Sequence, residues 1–283
     1  MTLKSGMLTS LVVSLTVVGL WGCSNDQSPQ SVEATDSLAT VVASTDRSDA
    51  NRARDDYRHP LETLQFFGIT PDMTVVEISP GGGWYTEILA PYLKQQGTLY
   101  AAHFPSETNS EFYQRSRARF VERVATDANF SKVIVTEFSP AGTKLIAPAN
   151  STDLVLTFRN LHNWYMGGSD EAVQQAFRQF YDALKPGGVL GVVDHRLPET
   201  RPDADMENTG YMKESYAIAM AEAVGFELAE RSEINANPND NADHPRGVWT
   251  LPPTLRLGDE NRDDYLAIGE SDRFTLKFVK PKN

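Results

Sequence analysis

The chain has 283 residues, 40% of them apolar, enough to bury one full α/β core. Its 38 Asp and Glu against 26 Lys and Arg give a net charge of -12, or -13 without a leader whose only charged side chain is Lys4. A surface of that sign repels phosphate backbones and argues against nucleic acid as a partner. The single cysteine leaves no intrachain disulfide.

Residues 1–23 have the layout of a processing segment: Lys4, an apolar run from Met7 to Trp21, then Gly22 and Cys23. The run falls short of the roughly 20 apolar residues that span a bilayer. The stretch L-W-G-C, Leu20 to Cys23, resembles the lipobox of bacterial lipoproteins, whose cysteine becomes the lipidated N-terminus. The resemblance implies a lipid anchor on Cys23, and Ser24 behind it implies sorting to the outer membrane, facing the periplasm. A plain signal peptide or an uncleaved anchor is the alternative. Residues 24–46, rich in Ser, Thr, Asp, Ala and Gln, are expected to form a flexible tether, and the globular domain to occupy residues 47–283.

Arg47 to Phe67 predicts one helix or two short ones around His59-Pro60, with Leu61, Leu64 and Phe67 facing the core. A strand ending at Val75–Ile78 is followed by Gly81–Gly83 and by helical periodicity over Tyr85–Leu93. Strands are predicted at Thr98–His103, Lys132–Phe138, Asp153–Phe158 and Val189–Val193, with helices at Glu107–Ala125 and Ala172–Leu184. A helix at Lys213–Val224 and strands at Glu227–Ser232 and Arg273–Val279 complete the chain. Such alternation implies a Rossmann-like, mostly parallel sheet with helices on both faces. Residues 235–271, polar and rich in Pro and Asn, are longer than an ordinary connection and are a candidate lid, or else a packed surface excursion.

The glycine turn is the most informative feature. A strand, three glycines and a helix start in succession let a ligand approach exposed backbone N–H groups. From Gly81 the run G-G-G-W-Y-T puts Thr86 where a dinucleotide fingerprint has its third glycine. It looks more like the first motif of class I methyltransferases: Glu77 is the acid, Ser79 replaces the first glycine, and Gly81 and Gly83 are the later ones. The later K-P-G-G turn, Lys185 to Gly188, leading into an apolar strand, resembles the same fold.

Ligands on open α/β sheets bind beyond the carboxyl ends of the strands. There the sequence places His103, then Arg159, Asn160, His162 and Asn163, then Asp194, His195 and Arg196. His162 is the first choice as general base, since an ordinary imidazole accepts a proton near neutral pH. Asp194 and His195 would orient it or share its work, Trp164 and Tyr165 shape the pocket, and Arg196 grip a substrate carboxylate. The plainer alternatives are structural histidines and an Asp194–Arg196 ion pair. The three histidines and Asp194 could instead converge on a metal, but no compact ligand motif is present and none is assigned.

Together, Arg54–Ile69, Val75–Leu93, Leu156–Tyr165, Val192–Arg196 and Ser271–Pro281 resemble a bacterial family of predicted class I methyltransferases with exported or lipid-anchored members. The resemblance implies a seven-stranded methyltransferase fold with Glu77, Gly81 and Gly83 at the cofactor loop, and no substrate. The expected cofactor is S-adenosylmethionine, with Ser79, Gly82, Tyr85, Arg159 and Asn160 also at its site, and the expected acceptor an unidentified small molecule. His103 stands where an acid usually holds the ribose; a neutral acceptor there gives ~0.5 to 1.5 kcal/mol against ~1.5 to 3 for a charged one. Glu137 is placed to meet the adenine amino group. An exported protein would see little of a cofactor made in the cytoplasm, so an anchored binding protein that has lost transfer is the rival reading.

Overall fold

The computed structural model of the chain describes residues 36–282 and residue 2. The leader, Cys23 and residues 24–35 lie outside the described residues. Helices α1 (Leu38–Val42), α2 (Asp49–Arg52), α3 (Asp55–Arg58) and α4 (Pro60–Phe67) precede β1 (Thr74–Ile78). Then come α5 (Thr86–Leu93), β2 (Thr98–His103), α6 (Glu111–Thr126), β3 (Ile134–Glu137), β4 (Thr152–Phe158), α7 (Leu161–Met166) and α8 (Asp170–Ala183). The remainder is β5 (Leu184–Leu197), α9 (Met206–Thr209), β6 (Met212–Lys213), α10 (Glu214–Glu222), β7 (Glu227–Ser232), α11 (Arg262–Ile268) and β8 (Arg273–Val279).

The sheet runs β3-β2-β1-β4-β5-β8-β7, with β6 paired to the far end of β5. Strands β1 to β5 pair in parallel, and β8 is antiparallel to both β5 and β7. Helices cover both faces, so β1 and β4 are buried at nearly every position instead of alternating. On one face α8 packs Phe177 and Phe180 against Val76, Val155 and Leu190. On the other, α4 and α5 pack Leu64, Phe67 and Ile88 against Val75 and Leu154. Gly191 in β5 is needed for that second layer, because a Cβ there would stand 2.8 Å from Leu156 and 2.9 Å from Phe67. Strand order reverses between β1 and β4, opening a crevice at their carboxyl ends.

Part of the expected tether is helical: Ser37 caps α1 through Thr40 N, and Leu38 and Val41, three apart, bury one face in the second core. Small polar neighbours hid that pair in the composition of the tether. The sheet gains an eighth strand, the two-residue β6, where the sequence pattern continued directly into a helix. None of residues 235–271, the candidate lid, lines the main cavity. They are pinned: Asn235 Nδ2 donates to Thr63 (3.0 Å) and Thr275 (2.9 Å), and Asp240 accepts from Tyr211, His244 and two backbone N–H groups.

Leu38→Ala should lower the unfolding free energy by about 2 kcal/mol, read from urea midpoints. An unchanged midpoint would mean that α1 does not belong to the folded domain.

Candidate active site

The crevice holds a cavity of about 900 Å³. Its floor is the turn after β1, where Ser79 (φ 48°), Gly81 (φ 59°) and Gly83 (φ 87°) all take the left-handed backbone. A Cβ on Gly81 or Gly82 would meet nothing within 4 Å, so a ligand can approach this backbone closely. Gly83 serves packing instead: a Cβ there would sit 3.3 Å from Phe120 and 3.4 Å from Phe130. Glu77 reaches under the turn, where its Oε2 accepts from the Thr86 hydroxyl at 2.6 Å. Burial pushes the Glu77 carboxyl up to about 7 against that hydrogen bond.

Asn160 Nδ2 donates to Ile78 O (3.0 Å) and Thr157 Oγ1 (3.2 Å), tying the ends of β1 and β4 together. Tyr85 stacks on Phe158 at 3.5 Å and 9°, and Phe104 on Tyr113 at 4.0 Å and 19°, giving the cavity two aromatic walls. Arg159 (φ 59°) and Trp164 also line it. Eight expected residues therefore meet at the cavity: Glu77, Ser79, Gly81, Gly82, Tyr85, Arg159, Asn160 and Trp164.

The other expected residues lie behind the wall or outside it. His103 is fully buried; its Nδ1 accepts from Phe104 N (2.8 Å), which fixes Nε2–H as donor to Gly81 O (3.1 Å). Burial, with Arg117 adding, pushes this imidazole down to about 4, so it is a neutral strut for the turn with no nitrogen left for a ribose. Glu137 accepts from Lys144 (2.6 Å) and Ser106 (2.7 Å) rather than from a ligand. Arg196 is spent on Glu233 (2.7 Å) and the Arg273 carbonyl (2.9 Å), not on Asp194 and not on the cavity. Tyr165 packs edge-on against Tyr216 at 5.1 Å.

His162, Asp194 and His195 do come together, but buried and away from the cavity lining. His162 Nδ1 lies 2.9 Å from Asp194 Oδ1, which also accepts from His195 N (2.7 Å), and His195 Nδ1 lies 2.5 Å from Ser271 Oγ. Burial first, then the neighbouring His162, drives the His195 imidazole well below its ordinary range. One ligand atom from each of the three lies within 4.8 Å of the others, a spacing a metal ion could bridge, and His103 has no part in it. As a general base for a substrate in the cavity, His162 is displaced by this geometry.

The sequence reading missed Arg54 and Arg58. Both line the cavity from the segment before β1. Arg54 Nε meets Glu270 Oε1 at 2.5 Å, Arg58 Nε lies 3.4 Å from Glu270 Oε2, and Arg273 Nη2 binds the same oxygen. Arg54 Nη2 and both Nη atoms of Arg58 are buried with no hydrogen-bond partner. The signal was present as R-D-D-Y-R, two arginines four apart in an acidic chain.

Residues 76–192 match the family described as a methyltransferase domain. That span runs from within β1 to within β5 and contains the turn, Arg159 and Asn160. The chain has the class I methyltransferase fold, a mostly parallel sheet flanked by helices. A SAM-dependent methyltransferase from Aquifex aeolicus superposes with a TM-score of 0.53 at 14% identity, covering 87% of this chain and 99% of that one. One from Methanosarcina mazei gives 0.51 at 10% identity over 78% and 98%, and the cyclase SpnF 0.52 at 16% over 83% and 82%. At such identities the likeness is one of fold. None of the curated proteins compared matches the sequence.

The buried Glu77 predicts a pH dependence. Its folded pKa of about 7 lies above the unfolded 4.5, so the folded protein keeps a proton that the unfolded chain gives up as pH rises between those values. Stability therefore falls over that window, by on the order of 3 kcal/mol from this group. Glu77→Gln should remove that fall, seen as closer urea midpoints at pH 5 and pH 7.5 than in the parent. Identical pH profiles would show that Glu77 is ionised in the fold.

Proposed function

We propose that the chain transfers the methyl group of S-adenosylmethionine to a small molecule bound in the same cavity. The observation that carries this reading is the open Gly81–Gly82 backbone at the β1/β4 crevice, within the matched residues and under a cavity of about 900 Å³. That volume is at the upper end for small-molecule sites and leaves room for an acceptor beside the cofactor. The residues fit the cofactor: Ser79 to Gly82 would hold it through backbone groups, Glu77 would support that loop, and the aromatic walls would flank it. When bound, S-adenosylmethionine supplies an activated methyl group and departs as its neutral thioether. The protein's part is alignment and exclusion of water, by Tyr85 on Phe158 and Tyr113 on Phe104. Among the described residues no imidazole lines the cavity, which suits an acceptor that arrives already deprotonated.

One observation favours the rival reading, binding without transfer. His103 and Glu137, at the ends of β2 and β3, spend their polar atoms inside the protein, so the usual side-chain grip on ribose and adenine is missing. Calorimetric titration of S-adenosylmethionine, with NAD as control, should give saturable micromolar binding for the parent. Gly81→Val, which puts a β-branched residue at φ 59°, should lose at least tenfold of it while remaining folded. Equal affinity in the variant would remove the turn from the site. Binding with no methyl transferred to any acceptor supplied would favour the rival.

We further propose that Cys23 carries a lipid and holds the domain at the outer membrane, facing the periplasm, supported by the apolar run and L-W-G-C. Among the described residues no helix is long and apolar enough to cross a membrane. Labelled fatty acid should enter the parent and not Cys23→Ala. Labelling of both, or of neither, would refute the anchor.

A further inference from the structure

Four guanidinium groups converge beside the cofactor turn around one carboxylate. Arg54, Arg58 and Arg159 line the cavity, Arg273 stands behind them, and Glu270 pairs with Arg54, Arg58 and Arg273. Among the described residues no hydrogen bond or ion pair reaches the Arg159 side chain, and Arg54 Nη2 and both Arg58 Nη atoms are buried without partners. Trp84 covers the Arg58 guanidinium at 4.6 Å, holding it in place without neutralising it. In a chain with a net charge of -12, this is a local excess of positive charge turned toward a cavity.

The groups repel one another. Burial and then Arg159 lower the Arg58 pKa, and burial followed by Arg273 and Arg54 brings Arg159 down to about 10. Burial would raise the Glu270 carboxyl, yet Arg273 and Arg58 hold it at about 2, so this anion is permanently committed. Buried donors left unpaired are costly, and a fork of free guanidinium nitrogens matches a carboxylate.

Two carboxylates could come here, one on the amino-acid end of the cofactor and one on the acceptor. The cofactor brings a sulfonium, an ammonium and a carboxylate, one net positive charge, so its arrival adds to the excess. A second anion is needed to balance the site. Resting on the methyltransferase reading, we infer that the acceptor is a small organic carboxylate whose anionic group docks on Arg58 and Arg159.

The test is calorimetry on the full chain saturated with S-adenosylhomocysteine, using benzoate as the anionic probe and benzamide as its neutral counterpart. Benzoate should bind at least tenfold more tightly than benzamide. Arg159→Gln should erase that difference, keep S-adenosylhomocysteine affinity within about threefold, and melt no lower than the parent, because it removes a half-buried cation that has no partner among the described residues. Arg159→Lys, which keeps the charge and loses the fork, should restore part of the preference. Equal binding of benzoate and benzamide overturns the inference. So does an Arg159→Gln variant that loses S-adenosylhomocysteine but retains 5′-methylthioadenosine, because the arginines would then hold the cofactor's own carboxylate. If the parent binds no S-adenosylhomocysteine, the methyltransferase reading fails on its own, and benzoate against benzamide on the free protein still decides whether the cluster takes a carboxylate.

Discussion

A single buried carboxylate, Glu270, joins parts of the chain that are far apart in sequence. It binds Arg54 and Arg58 from the N-terminal helices and Arg273 from the antiparallel strand β8. Through these contacts the segment before β1, the end of the 235–271 excursion and the inserted strand meet at one point beside the cavity. Removing one partner from such a buried set costs roughly 3 to 5 kcal/mol, since it strands charges in a medium that solvates them poorly. Glu270 is therefore both the brace of the cavity wall and the reason three arginines can be kept there.

The carboxyl edge of the sheet is divided between two kinds of polar chemistry. On the ligand side are open backbone, aromatic walls and guanidinium groups with spare donors. Behind it, the His162–Asp194–His195–Ser271 set and the Tyr211–Asp240–His244 set hydrogen-bond among themselves, away from the cavity lining. Networks of this kind rigidify what they hold. Here they hold the end of β5 and the 235–271 segment.

The strands were legible because short strand-length segments alternate along the chain with helical ones. Thr98–His103, Glu227–Ser232 and Arg273–Val279 fall on the same residues in sequence pattern and structure. The glycine turn was legible because three consecutive glycines after a strand have few other uses. Side-chain direction was not. His162 and Asn163 are neighbours on α7, yet one is buried against Asp194 and the other lines the cavity, and spacing alone does not separate them. His103, Glu137 and Arg196 were misjudged for the same reason: they sit at the right strand ends but are claimed by Gly81, Lys144 and Glu233. Arg54 and Arg58 were overlooked because their role depends on Glu270, more than two hundred residues away.

The central claim is that one cavity, at the reversal of strand order, holds the cofactor over the turn after β1. The most direct measurement is a crystal structure of the protein with S-adenosylhomocysteine. The account predicts the ligand in that cavity against the backbone of Ser79 to Gly82, with His162 and His195 untouched and a space left beside Arg58 and Arg159. A ligand seated against His162 and His195, or on another face with the turn empty, would contradict it.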